Sequence, residues 1–200
     1  MARLTLSKAQ LGKEKAALAM YRRYLPALDM KRKQLMAERK RAEGRLAALR
    51  RQEAERIGHI GAEIPMLADS GIDLDGLARL TAVDLGSRNV VGQIVPVVER
   101  IAVEVAPYGR LARPHWVDLV AERLTEVLRL RVEAQVTERE IALLDGAIRT
   151  VTQRVNLFDK VLIPQAQSNI RRLGIALGDL DRSAVVNSKI GKRKRQDARA

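Results

Sequence analysis

Two histidines, no cysteine and two Gly-Lys pairs are the residues of this 200-residue chain from which site chemistry could start. His59 and His115 lie far apart, and no H-E-x-x-H pattern sets two imidazoles on one helix face to hold a metal. Gly-Lys-Glu-Lys at 12–15 and Gly-Lys-Arg-Lys at 191–194 lack the upstream glycine and the following Ser/Thr of a phosphate loop. The absence of cysteine excludes disulfides and thiolate metal ligands and fits a reducing compartment. No motif supports a nucleophile–histidine–acid triad. The sequence therefore nominates no catalytic, cofactor-binding or metal-ligating residue, and no cofactor. An enzyme acting on its own is not expected.

Cationic clusters are the remaining candidates. The net charge is +13, and it is uneven. Residues 1–56 carry 16 Lys/Arg against 6 Asp/Glu, residues 57–120 carry 5 against 8, and residues 121–200 carry 16 against 10. The runs AERKRAEGRLAALRR at 37–51 and KIGKRKRQ at 189–196 could neutralise phosphates and release counterions. A basic scaffold that binds nucleic acid is thus one reading. Aromatic platforms for single strands are lacking, since only 2% of residues are aromatic, and no recognition-helix or zinc motif accompanies the charge. Solvated helix faces, or complements to an acidic protein, explain these runs better. The N-terminus MARLTLSKAQLGKEK is too charged for a signal peptide, and no uncharged apolar run approaches the ~20 residues of a membrane span.

The elements carrying these charges are long helices. Leu4, Leu11, Leu18 and Leu25 recur every seven residues, and Tyr21, Leu28, Leu35, Ala42 and Leu49 form a second row with the same period. Two such rows are the a and d positions of a coiled-coil seam. Arg32 and Arg39 interrupt the first row before Leu46 resumes it, and their long stems can cover apolar surface there. Residues from about 5 to 60 are expected to be helical, although Gly12 and Pro26 oppose an unbroken helix. Whether Pro26 kinks or ends it stays open.

A second seam runs through Ile141, Leu144, Ile148, Val151, Val155, Phe158 and Leu162, with steps alternating three and four. It continues through Ala166, Ile170, Leu173, Leu177 and Leu180, but only after two further steps of four. The phase therefore changes around Pro164, where a bend or local loss of supercoil is expected. Between the seams, DSGIDLDG at 69–76 supplies turn residues, and NVVGQIVPVVERIAVEV at 89–105 is rich in Val and Ile. Two short runs separated near Pro96 suggest a small hairpin, with Pro96 at a strand end or edge. APYGRLARP at 106–114 follows, Pro114 opens the third segment, and Trp116 is expected to be a packing anchor.

The expected fold is mainly α. It is a long antiparallel two-helix coiled coil formed by N- and C-terminal helices, with a small central α+β head containing a short hairpin. The boundaries read as 1–62 for the first helix, 63–113 for the head, 114–186 for the second helix and 187–200 for a basic tail.

TQRVNLFDKVLIPQAQSNIRRL at 152–173 resembles the C-terminal signature of the D subunit of V-type and archaeal-type rotary ATPases. LTLSKAQLGKEKAALAMYRRYLPALDMKRKQL at 4–35 is similar to that family's opening helix. NVVGQIVP at 89–96 is similar to its Asn-Val-Trp-Gly…Val-Pro segment, with Val91 where Trp is common. Pro26 and the lower charge at 174–188 depart from the family pattern. The resemblance implies a non-catalytic rotor axle that transmits torque and couples ATP hydrolysis or synthesis to proton or sodium transport. It implies as partners the catalytic and non-catalytic A and B subunits, whose hexamer bore would take both chain ends. The F subunit and the membrane-rotor adaptor (the C or d subunit) would complete the stalk. The implied location is cytoplasmic, peripheral to the membrane within a membrane-bound complex.

Overall fold

The computed structural model describes residues 5–67, 74–108 and 114–197. Helix α1 spans Lys8–Glu63 and is followed by a 3-10 turn at Pro65–Leu67. Strands β1 (Ala78–Val90) and β2 (Gln93–Val105) form an antiparallel pair. Helix α2 spans Trp116–Leu157, a π turn occupies Phe158–Leu162, and helix α3 spans Ile163–Asp197. The architecture is the expected one: long helices with a central two-stranded hairpin. Packing divides the chain into two compact units, Met1–Lys31 with Thr150–Ala200, and Arg32–Arg149.

In the first unit, Ser7 caps α1. Its Oγ accepts the backbone N–H of Gln10 at 3.1 Å, which satisfies a donor that the helix itself leaves unpaired. The helix continues through Pro26 rather than ending there. Leu11, Leu18, Tyr21, Leu25 and Leu28 are its less exposed positions, as the heptad rows require; Leu4 lies outside the described residues. Facing them, Val151, Val155, Ala166 and Leu173 are buried. Three contacts fix the direction of pairing. Tyr21 meets Phe158 edge-to-face with ring centroids 5.4 Å apart, Asn169 Nδ2 lies 3.4 Å from Glu14 Oε2, and Lys8 pairs with Asp181 at 3.7 Å. One number falls as the other rises, so the helices run antiparallel.

The phase change in the second seam has a structural cause. The Ile163 N–H donates to the Phe158 carbonyl, five residues back rather than four. A π turn of this kind takes up one extra residue, which is what successive steps of four demand. It ends two residues before Pro164, which has no N–H to give to the Lys160 carbonyl and whose ring would press on that carbonyl in a regular α-turn. The widened turn relieves both problems. Farther along, Leu180 is 57% exposed although it continues the seam, because α1 begins near Asp181 and supplies no apolar row beyond it. The residues set apart in the sequence as a basic tail continue α3 from position 187 to Asp197.

In the second unit the seam continues through Leu35 and Ala42 of α1 and Leu144 of α2, all fully buried. A cluster of Ile60, Ile64, Leu77, Trp116, Val117 and Val120 closes one part of the unit. Trp116 is the anchor its type suggested, and α2 starts at this residue, two positions after Pro114. The Tyr108 hydroxyl donates to Asp118 in the first turn of α2. His59 and His115 are both exposed.

The hairpin is present, but its strands are not the ones that the Val/Ile runs suggested. The run before Pro96 is split by the turn, with Asn89 and Val90 ending β1 and Gln93–Val95 opening β2, and Pro96 sits inside β2 opposite Ser87. The partner strand is the more polar stretch 78–90, and the turn is Val91-Gly92. Both turn residues have positive φ, 52° and 81°, the twist a two-residue hairpin needs. Gly92 adopts it freely, whereas β-branched Val91 is strained at a cost on the order of 1 kcal/mol. The Gly92 N–H donates to Asn89 Oδ1 at 2.7 Å and helps to hold the turn. A proline is tolerated in β2 because a two-stranded ribbon has an unpaired side on each strand. Of the turn stretches read in the sequence, 69–73 and 109–113 lie outside the described residues.

Replacing Pro164 with Ala supplies the missing donor. The helix should then straighten across 158–164 while its helicity is kept, and a structure of the variant checks this. An unchanged path would show that the seam, not the proline, sets the π turn.

Candidate functional site

No ligand-shaped constellation emerges from the residues that sequence reasoning tested. Gly-Lys-Glu-Lys at 12–15 lies inside α1 and Gly-Lys-Arg-Lys at 191–194 inside α3. Backbone N–H groups within a helix are spent on carbonyls one turn back, so neither stretch can cradle a phosphate. Among the described residues, no group of three His, Asp or Glu side chains is placed to hold a metal ion. The features that can bear load or contact partners are the helix-pair surfaces and the hairpin.

In the second unit, ion pairs among the described residues join α1 to α2. Arg39 meets Asp145 at 3.1 Å, Arg45 meets Glu140 at 2.7 Å, and Arg50 meets Glu138 at 2.6 Å. Glu53 then meets Arg131 at 2.8 Å, Arg56 meets Glu126 at 3.6 Å, and Glu63 meets Arg123 at 3.2 Å. The helices are antiparallel here too. The sign changes along the row matter more than any single bond. A slip of one heptad in one direction would set Arg50 against Arg131, and in the other would set Glu53 against Glu138. Each slip would also re-form two opposite-charge pairs, Arg39–Glu138 and Arg45–Glu133 in the first direction and Arg50–Asp145 and Arg56–Glu133 in the second. What opposes it is the net loss of pairs together with one like-charge contact.

Most of these pairs are solvent-exposed and contribute ~0–1 kcal/mol each. Arg39 is held above the ordinary arginine value, first by its hydrogen bond to Glu43 and then by Asp145. Arg123 is raised chiefly by the charge of Glu63. A raised cation contributes its stabilisation below the unfolded value and loses it only as pH climbs through the folded one. These two arginines therefore add no pH dependence near neutrality.

Glu140 is the exception. It is 5% exposed, and its two carboxylate oxygens serve two different elements. Oε2 accepts from Arg45 Nη2 of α1 at 2.7 Å, and Oε1 accepts from Arg88 Nη2 of β1 at 2.8 Å. Glu140 itself is buried while Arg45 and Arg88 are about half exposed, at 45% and 46%, so removing one arginine leaves the carboxylate still paired with the other. Beside it, a groove of about 830 Å³ lies between α1, β2 and α2, lined by Leu49, Arg88, Val98 and Arg129 among others.

The basic run 37–51 is thus largely committed to carboxylates of the chain itself: Arg39, Arg45 and Arg50 to α2, Arg41 to Glu38, and Arg51 to Glu55. The run 189–196 is exposed on the last turns of α3. Its Lys194 and Arg195 lie where the helix dipole favours cations. Sequence reasoning missed β1 and the pairing of Glu140. The available signal was a carboxylate flanking the seam at Ile141, which periodicity alone treats as an ordinary rim charge.

A family model described as the ATP synthase D subunit matches residues 10–193. A V-type ATP synthase D subunit from Borreliella burgdorferi is 33% identical over 192 residues, covering 96% of this chain and 95% of that protein. The protein of the same name from Chlamydia felis is 30% identical over 198 residues, with 96% and 94% covered. That from Chlamydia pneumoniae is 28% identical over 194 residues, with 94% and 91% covered.

The seam should outweigh the ion pairs in stability. Leu144→Ala is expected to cost ~2–5 kcal/mol, and Arg50→Ala less than ~1 kcal/mol, by urea unfolding of the full chain.

Proposed function

The chain belongs to the ATP synthase D-subunit family, and we propose that it works as the central rotor axle of a V-type ATP synthase or ATPase. It transmits torque between the catalytic hexamer and the ion-translocating membrane rotor without performing chemistry itself. The observation that carries this reading is the antiparallel pairing of α1 with α2 and α3 by apolar seams, flanked in the second unit by ion pairs between α1 and α2. A single helix twists and bends readily. Two helices zipped along a close-packed seam resist both, since a small slip uncovers apolar surface and a slip of a whole heptad breaks most of the ion pairs.

The A and B subunits of the hexamer are the proposed partners of the paired chain ends. The F subunit and the adaptor (the C or d subunit) are the proposed partners of the remainder of the stalk. Among the described residues, no helix is long and apolar enough to cross a membrane, in keeping with a peripheral position on the cytoplasmic side of the complex. The coupled ion is a proton or sodium. Rotation biases each catalytic interface only through contacts that differ with angle, because an effector shifts an equilibrium by its differential affinity alone. A nucleic-acid scaffold has no comparable support, because the run 37–51 that would bind phosphates is largely occupied by internal carboxylates.

Capture of the chain from native lysate should recover the F, A and B subunits. Recovery of nucleic acid without ATPase subunits would sink the axle reading. In the assembled complex, truncation from Lys189 should lower the number of ions moved per ATP hydrolysed. An unchanged ratio would remove the terminal basic turns of α3 from the coupling path.

A further inference from the structure

We infer that Glu140 is a latch that holds the outer half of the β-hairpin against the helix pair, and that this half swings on a crease in the hairpin when the latch is broken. The inference does not rest on the axle reading.

The crease is visible in the strand register. Pairing shifts between Leu80 and Ala82, where Thr81 is the extra residue of β1, and again between Asp84 and Leu85, where Glu99 is the extra residue of β2. Each shift is a β-bulge, which interrupts the ladder and bends and twists the strand that carries it. From Leu85 to Val98 the register is unbroken around the turn, so this part forms one stiff block beyond the second bulge. Gly86, in the block, faces the crease. A Cβ at this position would lie 2.1 Å from Glu99 Oε1 and 2.9 Å from its Cγ, so glycine is what lets the bulged Glu99 fold across β1.

The hold on the block is narrow. A two-stranded ribbon is marginally stable at best without something to pack on. Several of the block's apolar side chains face water: Ile94 is 65% exposed, and Leu85, Val97 and Val91 are exposed as well. Val90 and Val95 are its buried apolar positions. Its polar hold runs through Arg88, which sits between two carboxylates of the helix pair. Arg88 Nη2 donates to Glu140 Oε1 at 2.8 Å, while its Nη1 lies 3.9 Å from Glu38 Oε2. Only the first is a hydrogen bond. Glu140 is in turn held from the other side by Arg45, and its carboxylate is buried, while both arginines keep about half of their side chains in water. The arrangement makes one buried carboxylate the junction of β1, α1 and α2.

The chain has no cysteine, so two introduced ones can be spin-labelled cleanly in the full-length protein. Labels at Val91→Cys and Lys40→Cys report the distance from the hairpin turn to α1, and labels at Lys40→Cys and Leu143→Cys report the spacing of α1 and α2. In the otherwise unaltered chain both distance distributions should be single and narrow. Arg88→Met, which keeps the stem but removes the charge, should add a longer and broader turn-to-α1 population while leaving the α1–α2 distance unchanged. Glu140→Gln should add the same longer population. If the turn-to-α1 distance stays narrow in both variants, packing of Val90 and Val95 positions the block and the latch is refuted. If Arg88→Met broadens the α1–α2 distance as well, the carboxylate cluster holds the helix pair rather than the hairpin, which also overturns the proposal.

Discussion

Neither long helix can bury its apolar row by itself, and this constraint governs the rest of the molecule. With 2% aromatic residues, the chain has few large rings with which to build a globular core. Its apolar surface is instead spread as Leu, Ile, Val and Ala along two heptad seams, and antiparallel pairing removes both from water together. Leu35, Ala42, Leu144 and Leu173, all at 3% exposure or less, mark where the pairing is tightest. Beyond Asp181, where α1 no longer supplies a partner row, α3 continues as a helix with Val185 and Ile190 exposed.

Several other features follow as accommodations to that pairing. The ion pairs contribute little stability one by one, but a slip of one heptad, which the near-periodic seam would otherwise tolerate, would lose most of them and add a like-charge contact. The π turn at Phe158–Leu162 absorbs the extra residue that the seam carries just before Pro164, so that Leu162 and Ala166 still turn inward. The hairpin is different in kind. It is a ribbon too thin to hold itself, fastened by Val90, Val95 and the Arg88–Glu140 bond.

How much of this was legible in the sequence depends on the range of the interaction. The seams were legible because a period of seven survives without knowledge of the partner, and the phase change near Pro164 was visible as consecutive steps of four. The hairpin was legible only in part. The Val/Ile density of 89–105 marked β2 and the end of β1 correctly as strand, but Pro96 drew the turn to the wrong place. Strand β1 contains Arg79, Asp84, Gly86, Ser87, Arg88 and Asn89, and a half-exposed ribbon gives no alternation strong enough to identify it. The turn is Val-Gly rather than Asn-Gly, so the usual short-range signal was absent. Glu140 was unreadable for a further reason: its partners, Arg45 and Arg88, are brought to it only by tertiary packing.

The central claim is that this chain turns as an axle, and direct observation of rotation tests it. A single cysteine at exposed Ser87, labelled with a bead or gold particle in a surface-fixed complex, reports the motion without interference from native thiols of this chain. An axle predicts unidirectional, ATP-dependent rotation of the label in discrete steps. Sustained ATP hydrolysis with a label that stays fixed relative to the hexamer would contradict it.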